Sequence, residues 1–79
     1  MFDRRFTIRT SDRPEVLGRV VTLCQQRRCQ IVTLSFVRGD GHRRGELFIT
    51  VRASSWHGDR LAAWLSSLID VVEVHELRR

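Results

Sequence analysis

Asp12-Arg13-Pro14-Glu15-Val16-Leu17-Gly18-Arg19-Val20 is the stretch on which the fold turns. It joins a segment with strand-like alternation to one with helical periodicity through a short polar loop. Asp12 is a strong N-cap, and Pro14 suits the first helical turn, where a missing N–H costs nothing. Glu15 stands three residues after Asp12, the spacing of a capping box. The orphan N–H groups at such a helix start can hold a ligand carboxylate, a partner's backbone or the chain's own capping side chains. Which of these they hold decides whether the protein senses a small metabolite or docks onto something larger.

Upstream of that loop, Phe2, Phe6 and Ile8 alternate with Asp3, Arg5, Thr7 and Arg9, the period-two pattern of a strand with one apolar face. Downstream, Leu17, Val20, Val21 and Cys24 recur at i, i+3, i+4, i+7 and predict an amphipathic helix, closed by Gln25, Gln26, Arg27 and Arg28. Residues 31–37 (Ile-Val-Thr-Leu-Ser-Phe-Val) are β-branched and aromatic, with apolar groups at both parities, which predicts a strand covered on both faces. Residues 38–45 hold three glycines and no apolar side chain and form a hairpin loop. Residues 46–52 are a further strand, with Leu47, Ile49 and Val51 on one face. Ala53-Ser54-Ser55 starts a second helix with the stripe Leu61, Trp64, Leu65 and Leu68, and residues 70–77 close the chain as a strand. The order β-α-β-β-α-β predicts an α+β, ferredoxin-like fold over residues 1–79 as a single domain: a four-stranded antiparallel sheet with both helices on one face.

The 79 residues, 42% of them hydrophobic, suffice for a globular fold but bury only a small core, so the domain gains from a partner or a second copy of itself. No apolar run is long enough to cross a bilayer and no apolar signal core follows Met1, so a cytoplasmic protein with no membrane association is expected. All 14 basic residues are Arg, the formal charge is +5, and the arginines are scattered along the chain rather than gathered on one face. That distribution reads first as a solvated surface, with an acidic partner or nucleic acid as the alternatives. Cys24 and Cys29 have no further Cys or His to complete a zinc set, and Cys24 reads as a buried thiol.

No Ser-His-acid set, Cys-His pair or paired carboxylates come together on these elements, so no catalytic residue is expected. His42, His57 and His75 read as surface histidines. The strand order is shared with RNA-recognition modules, and Arg44-Gly45-Glu46-Leu47-Phe48-Ile49-Thr50-Val51 superficially resembles their stacking strand. Glu46 stands where a second stacking ring is needed, however, and the first strand offers Thr7 and Arg9 rather than aromatics. RNA binding is therefore disfavoured.

Three segments carry a more specific likeness: Pro14-Glu15-Val16-Leu17-Gly18-Arg19-Val20, Arg28-Cys29-Gln30-Ile31-Val32-Thr33-Leu34, and Leu68-Ile69-Asp70-Val71-Val72-Glu73-Val74. With them the chain resembles an ACT domain, the small ferredoxin-like regulatory module of amino-acid metabolism. More narrowly it resembles the short form of the small regulatory subunit of acetohydroxyacid synthase (acetolactate synthase), in branched-chain amino-acid biosynthesis. The resemblance implies a non-catalytic subunit that binds and allosterically activates a large catalytic subunit. That partner is a thiamine-diphosphate-dependent transferase, and thiamine diphosphate, FAD and magnesium would belong to it, with no cofactor or metal in this chain.

The resemblance further implies a homodimer through side-by-side sheets, with Val32, Leu34 and Phe36 on the dimer edge. It implies an effector loop at Asp12, Arg13, Pro14, Glu15, Val16, Leu17 and Gly18, and a second side to that site, or the dimer seam, at Cys29, Gln30 and Ile31. The family's motifs are a leucine, small residue, Arg and Val at the first helix, an Arg-Gly-aromatic-Asn-Ile turn, and a Leu-Val-Asp-Val start to the last strand. Valine-binding members carry Asn and then Gly before the first helix, where Asp12 and Glu15 stand here, and Cys29 and Gln30 align with a Gly and an Asn at its end. Two acids able to satisfy the orphan N–H groups from within imply weak or no binding of a branched-chain amino acid. A stand-alone ACT sensor of an amino acid is the alternative.

Overall fold

The architecture follows from a two-residue rhythm in two central strands. In β1 (Phe2–Ser11), Phe6, Ile8 and Thr10 are buried, while the alternating Arg5 and Arg9 are exposed and Thr7 is half-buried. In β3 (Arg44–Ala53), Leu47, Ile49, Val51 and Ala53 are buried and Phe48 and Arg52 exposed. The two pair antiparallel with Phe6 opposite Ile49 and Ile8 opposite Leu47, which makes one continuous apolar face. The remaining elements are α1 (Glu15–Gln26), β2 (Gln30–Arg38), α2 (Ser55–Ser66) and β4 (Val71–Leu77). The sheet order is β2-β3-β1-β4, with antiparallel neighbours throughout. This is the expected βαββαβ ferredoxin-like arrangement, with α1 beside β2 and α2 over β4. The computed structural model describes residues 2–11, 13, 15–39 and 44–77. Asp12 and Pro14 of the loop, and His42 of the hairpin, lie outside them. No helix among the described residues is long and apolar enough to cross a membrane.

The helices cover the apolar face with stripes somewhat different from those expected. α1 buries Val16, Val20, Leu23 and Cys24, whereas Leu17 and Val21 are half-buried on its flanks. Apolar residues occupy six of the nine positions from 16 to 24, a band wider than the contact, and the rotation of the helix about its axis picks the deeper set. α2 starts at an N-cap, Ser54, whose hydroxyl accepts from His57 N at 3.2 Å. It buries Leu61 and Leu65. Trp64 is half-buried, and Leu68 packs on the core from beyond the helix end.

β2 departs most from expectation. A strand covered on both faces was anticipated, yet only Ile31 and Phe36 are even half-buried, and Val32, Leu34 and Val37 are exposed. The strand sits at the edge of the sheet, where none of the described strands pairs with its outer side.

Two local devices hold the ends of the layers together. Arg4 reaches under α2: its Nε and Nη2 atoms make a two-pronged contact with the Glu76 carboxylate (2.7 and 2.8 Å), and Nη1 meets Asp59 at 2.7 Å. The two carboxylates hold the guanidinium firmly in its charged form. Gly58 makes room for it, since a Cβ there would come within 2.6 Å of the Arg4 side chain. At the end of α1, Cys29 N donates to Cys24 O (2.9 Å) and Arg28 N to Gln25 O (3.3 Å), the paired bonds of a Schellman cap.

The residue that turns left-handed in that cap is Arg28 (φ 55°). A left-handed position favours glycine, and here it falls on Arg28, whereas Cys29, expected opposite a glycine, is buried at the cap's far side. A side chain in this conformation costs about 1 kcal/mol relative to glycine. Arg28→Gly is expected to raise the unfolding free energy by about that amount in denaturant titrations followed by tryptophan fluorescence.

Candidate functional site

The loop between β1 and α1 is shaped from below by a carboxylate. Asp70, just before β4, is 6% exposed. Its Oδ2 accepts from Arg19 Nη1 at 2.8 Å and its Oδ1 from Ser11 Oγ at 3.1 Å, and its carbonyl accepts from Ser11 N at 2.9 Å. One residue thus joins the end of β1, the second turn of α1 and the start of β4. Above it, Arg13, Glu15 and Gly18 are exposed, and Val16 N closes the turn on Arg13 O at 3.2 Å. A Cβ added to Gly18 would meet nothing within 4 Å, so this helical glycine fronts open space.

The expected effector residues divide between two environments. Arg13, Glu15 and Gly18 front solvent, and Leu17 is half-buried beside them. Val16 is fully buried and belongs to the core, so it cannot line a ligand site; helical geometry turns it inward beside Val20. The capping role expected of Asp12 and Glu15 rests on Asp12, outside the described residues.

The second expected side lies at the other end of α1. Gln30 is exposed and Ile31 half-buried, while Cys29 is only 2% exposed, packing on the core at the floor of a cleft between α1 and β2. Burial pushes the Cys29 thiol up, and it pushes Cys24 up to about 12. Both are free thiols held protonated, which suits packing and not nucleophilic chemistry. The cleft, of about 650 Å³, is lined by Cys29 with Val21, Gln25, Arg28, Gln30, Ile31 and Leu34. Its apolar walls and single guanidinium are the kind of surface that a second protein chain or a small amphipathic molecule covers.

That cleft runs onto the edge of β2, where Val32 (44% exposed) and Leu34 (37%) are displayed. Phe36 is less available. Its ring lies back over Gly45, within 2.3 Å of where a Cβ would stand, and is half-buried there.

The open face of the sheet is polar. Ser35, Phe48, Thr7 and His75 stand in register across it, with Asp3–Arg52 (2.8 Å) and Arg9–Glu73 (3.6 Å) ion pairs nearby. Phe48 is the one phenyl or indole ring on that face among the described residues, too few for a base-stacking platform.

The clasp at Asp70 was not foreseen, although Asp70 lies in a segment that carried the family likeness; its partners are 51 and 59 residues away in sequence. Asp70→Ala leaves Ser11 without an acceptor and Arg19 without its counter-charge. Arg19 is half-exposed and recovers water, so the expected loss is moderate, about 2 kcal/mol of unfolding free energy. In hydrogen exchange, the amides of Ser11 and Val71 should lose protection more than those of β3.

No family model matches the chain, and no curated protein matches it. Solved structures do. The acetolactate synthase small subunit from Thermotoga maritima aligns with a TM-score of 0.85 at 17% identity, covering 99% of this chain and 48% of that one, so this chain spans about half that subunit's length. The ACT domain from GTP pyrophosphokinase of Chlorobium tepidum aligns with a TM-score of 0.77 at 16% identity, covering 96% of this chain and 97% of that one. A homoserine dehydrogenase from Thiobacillus denitrificans aligns with a TM-score of 0.71 at 14% identity, covering 98% of this chain and 17% of that one. At such identities the likeness speaks of the fold: this chain has the fold of an ACT domain and is similar along its length to part of an acetolactate synthase small subunit.

Proposed function

We propose that this chain is a non-catalytic regulatory subunit that binds the large catalytic subunit of acetohydroxyacid synthase and raises its activity. Thiamine diphosphate, FAD and magnesium belong, on this reading, to the catalytic subunit. The observation that carries it is the uncovered β2 edge on an ACT fold that resembles an acetolactate synthase small subunit. Docking free energy would favour the active conformation of the partner, a shift of population.

The two edges of the sheet support pairing with a second copy. From Ile31 through Val37, β2 carries no charge and exposes apolar groups at both parities. β4, the opposite edge, carries Glu73, His75 and Glu76, while both edge pairings have a register irregularity, between Arg9 and Thr10 opposite β4 and between Ile31 and Thr33 in β2. Charges are one way natural sheets guard an edge, so the uncharged β2 is the edge that favours a partner strand. Two copies meeting there would join side by side, with the clefts between α1 and β2 at the seam. The expectation of weak amino-acid binding rests on Glu15, whose exposed carboxylate in the first turn of α1 opposes a ligand carboxylate.

The deciding assay mixes this chain with the catalytic subunit from the same genome. Turnover is expected to rise on addition and to stay raised in millimolar valine; a rate indifferent to this chain overturns the reading, and micromolar valine affinity overturns the weak-binding part alone. Sedimentation equilibrium should give a dimer for the native chain. Val32→Glu should shift it to monomer while leaving the circular dichroism spectrum unchanged, because Val32 is exposed within one copy.

A further inference from the structure

Both tryptophans of the chain lie in one cluster on the helical layer, and each is stacked by an arginine. Arg60 lies over the Trp56 ring with its Cζ 3.8 Å from the centroid, and Arg27, from the turn after α1, lies over Trp64 at 4.6 Å. The two indoles are 6.1 Å apart, and His57 sits edge-on to Trp56 at 5.0 Å. Trp56, Arg60 and Trp64 recur every fourth residue along one side of α2. Trp56 is 55% exposed, a large apolar area to leave in water.

The charge of this patch is unbalanced. Among the described residues, neither Arg27 nor Arg60 has a carboxylate partner; Arg60 spends one donor on Trp56 O at 2.9 Å. Asp59, the acid beside them on α2, is already bound to Arg4. A guanidinium stacked on a ring keeps its N–H donors in its own plane, free along the rim and fixed in direction. That is the arrangement a carboxylate accepts in a two-pronged contact.

The geometry points to this patch as a docking surface for an acidic segment of another protein, with carboxylates received by Arg27 and Arg60 and an apolar side chain covering Trp56. Exposed Trp and Arg side by side are the composition of interface hot spots. A single-stranded nucleic acid fits less well, because the ring faces on which bases would stack already carry guanidiniums. Trp56, Arg60 and Trp64 lie on α2, which packs on the β4 side of the sheet, while Arg27 comes from the turn after α1, next to the cleft beside β2. The patch stands whether or not the partner is an acetohydroxyacid synthase.

Since the chain has two tryptophans and both are in the patch, intrinsic fluorescence reports on it directly. The probe is a soluble glutamate–leucine peptide titrated into the native protein, beside its glutamine–leucine counterpart and a poly-uridine oligomer. The glutamate peptide is expected to bind with a spectral shift and the glutamine peptide to bind about tenfold more weakly. The double substitution Arg27→Gln/Arg60→Gln should weaken the glutamate peptide by a similar factor. Arg60→Lys should also weaken it, since charge is kept and the planar fork is lost. Arg5→Gln/Arg44→Gln, which removes equal charge elsewhere, should change binding less than about twofold. Equal losses in the two double variants, tighter binding of poly-uridine, or no spectral response to the glutamate peptide would each overturn the proposal.

Discussion

The Asp70 carboxylate organises one end of this domain. It is almost fully withdrawn from water, and a buried carboxylate is tolerated only with its hydrogen bonds made. Arg19 supplies charge from one side and Ser11 a hydroxyl from another, while the backbone beside it bonds to β1. Three chain segments are thereby held in fixed relation, and the loop that starts α1 takes its place from them. Arg4 plays the matching part at the opposite end, bridging β4 and α2 through Glu76 and Asp59. Between these polar ties lies a small apolar core of Phe, Ile, Leu and Val side chains that would be marginal alone.

What was legible in the sequence was whatever depends on periodicity. Phe6 and Ile8, and Leu47, Ile49 and Val51, announced their strands because a single buried face enforces alternation. The order of elements, and so the fold, followed from them. The rotation of α1 was not legible: Val16, Leu17, Val20, Val21, Leu23 and Cys24 give a broad apolar band, and only the tertiary contact decides that Val16 and Leu23 go inside while Leu17 and Val21 flank. The apolar content of residues 31–37 was read as a strand enclosed on both sides. In this chain it is an exposed edge, with Val32, Leu34 and Val37 open to solvent.

The candidate site was legible in outline and not in detail. The loop at Arg13 to Gly18 and the turn at Cys29 to Ile31 do lie at the two ends of α1. Yet Val16 and Cys29 are packing residues, and the left-handed position that favours glycine belongs to Arg28. The clasp at Asp70 and the bridge at Arg4 join residues dozens of positions apart, and no local pattern announces such pairs. The Arg27–Trp64 stack was hidden for the same reason, since Arg27 lies in the turn after α1 and Trp64 in α2, whereas Arg60 and Trp56 are four residues apart on α2.

The unequal edges of the sheet bear on how far assembly can proceed. A strand that meets its own copy across a two-fold axis is consumed by the meeting, and each copy has one such strand to offer. On the proposed pairing through β2, the outer rims of the joined layer would be the charged β4 strands, which do not invite further strands. Growth would then halt at two, clear of the fibrous states that an unguarded rim on both sides would invite.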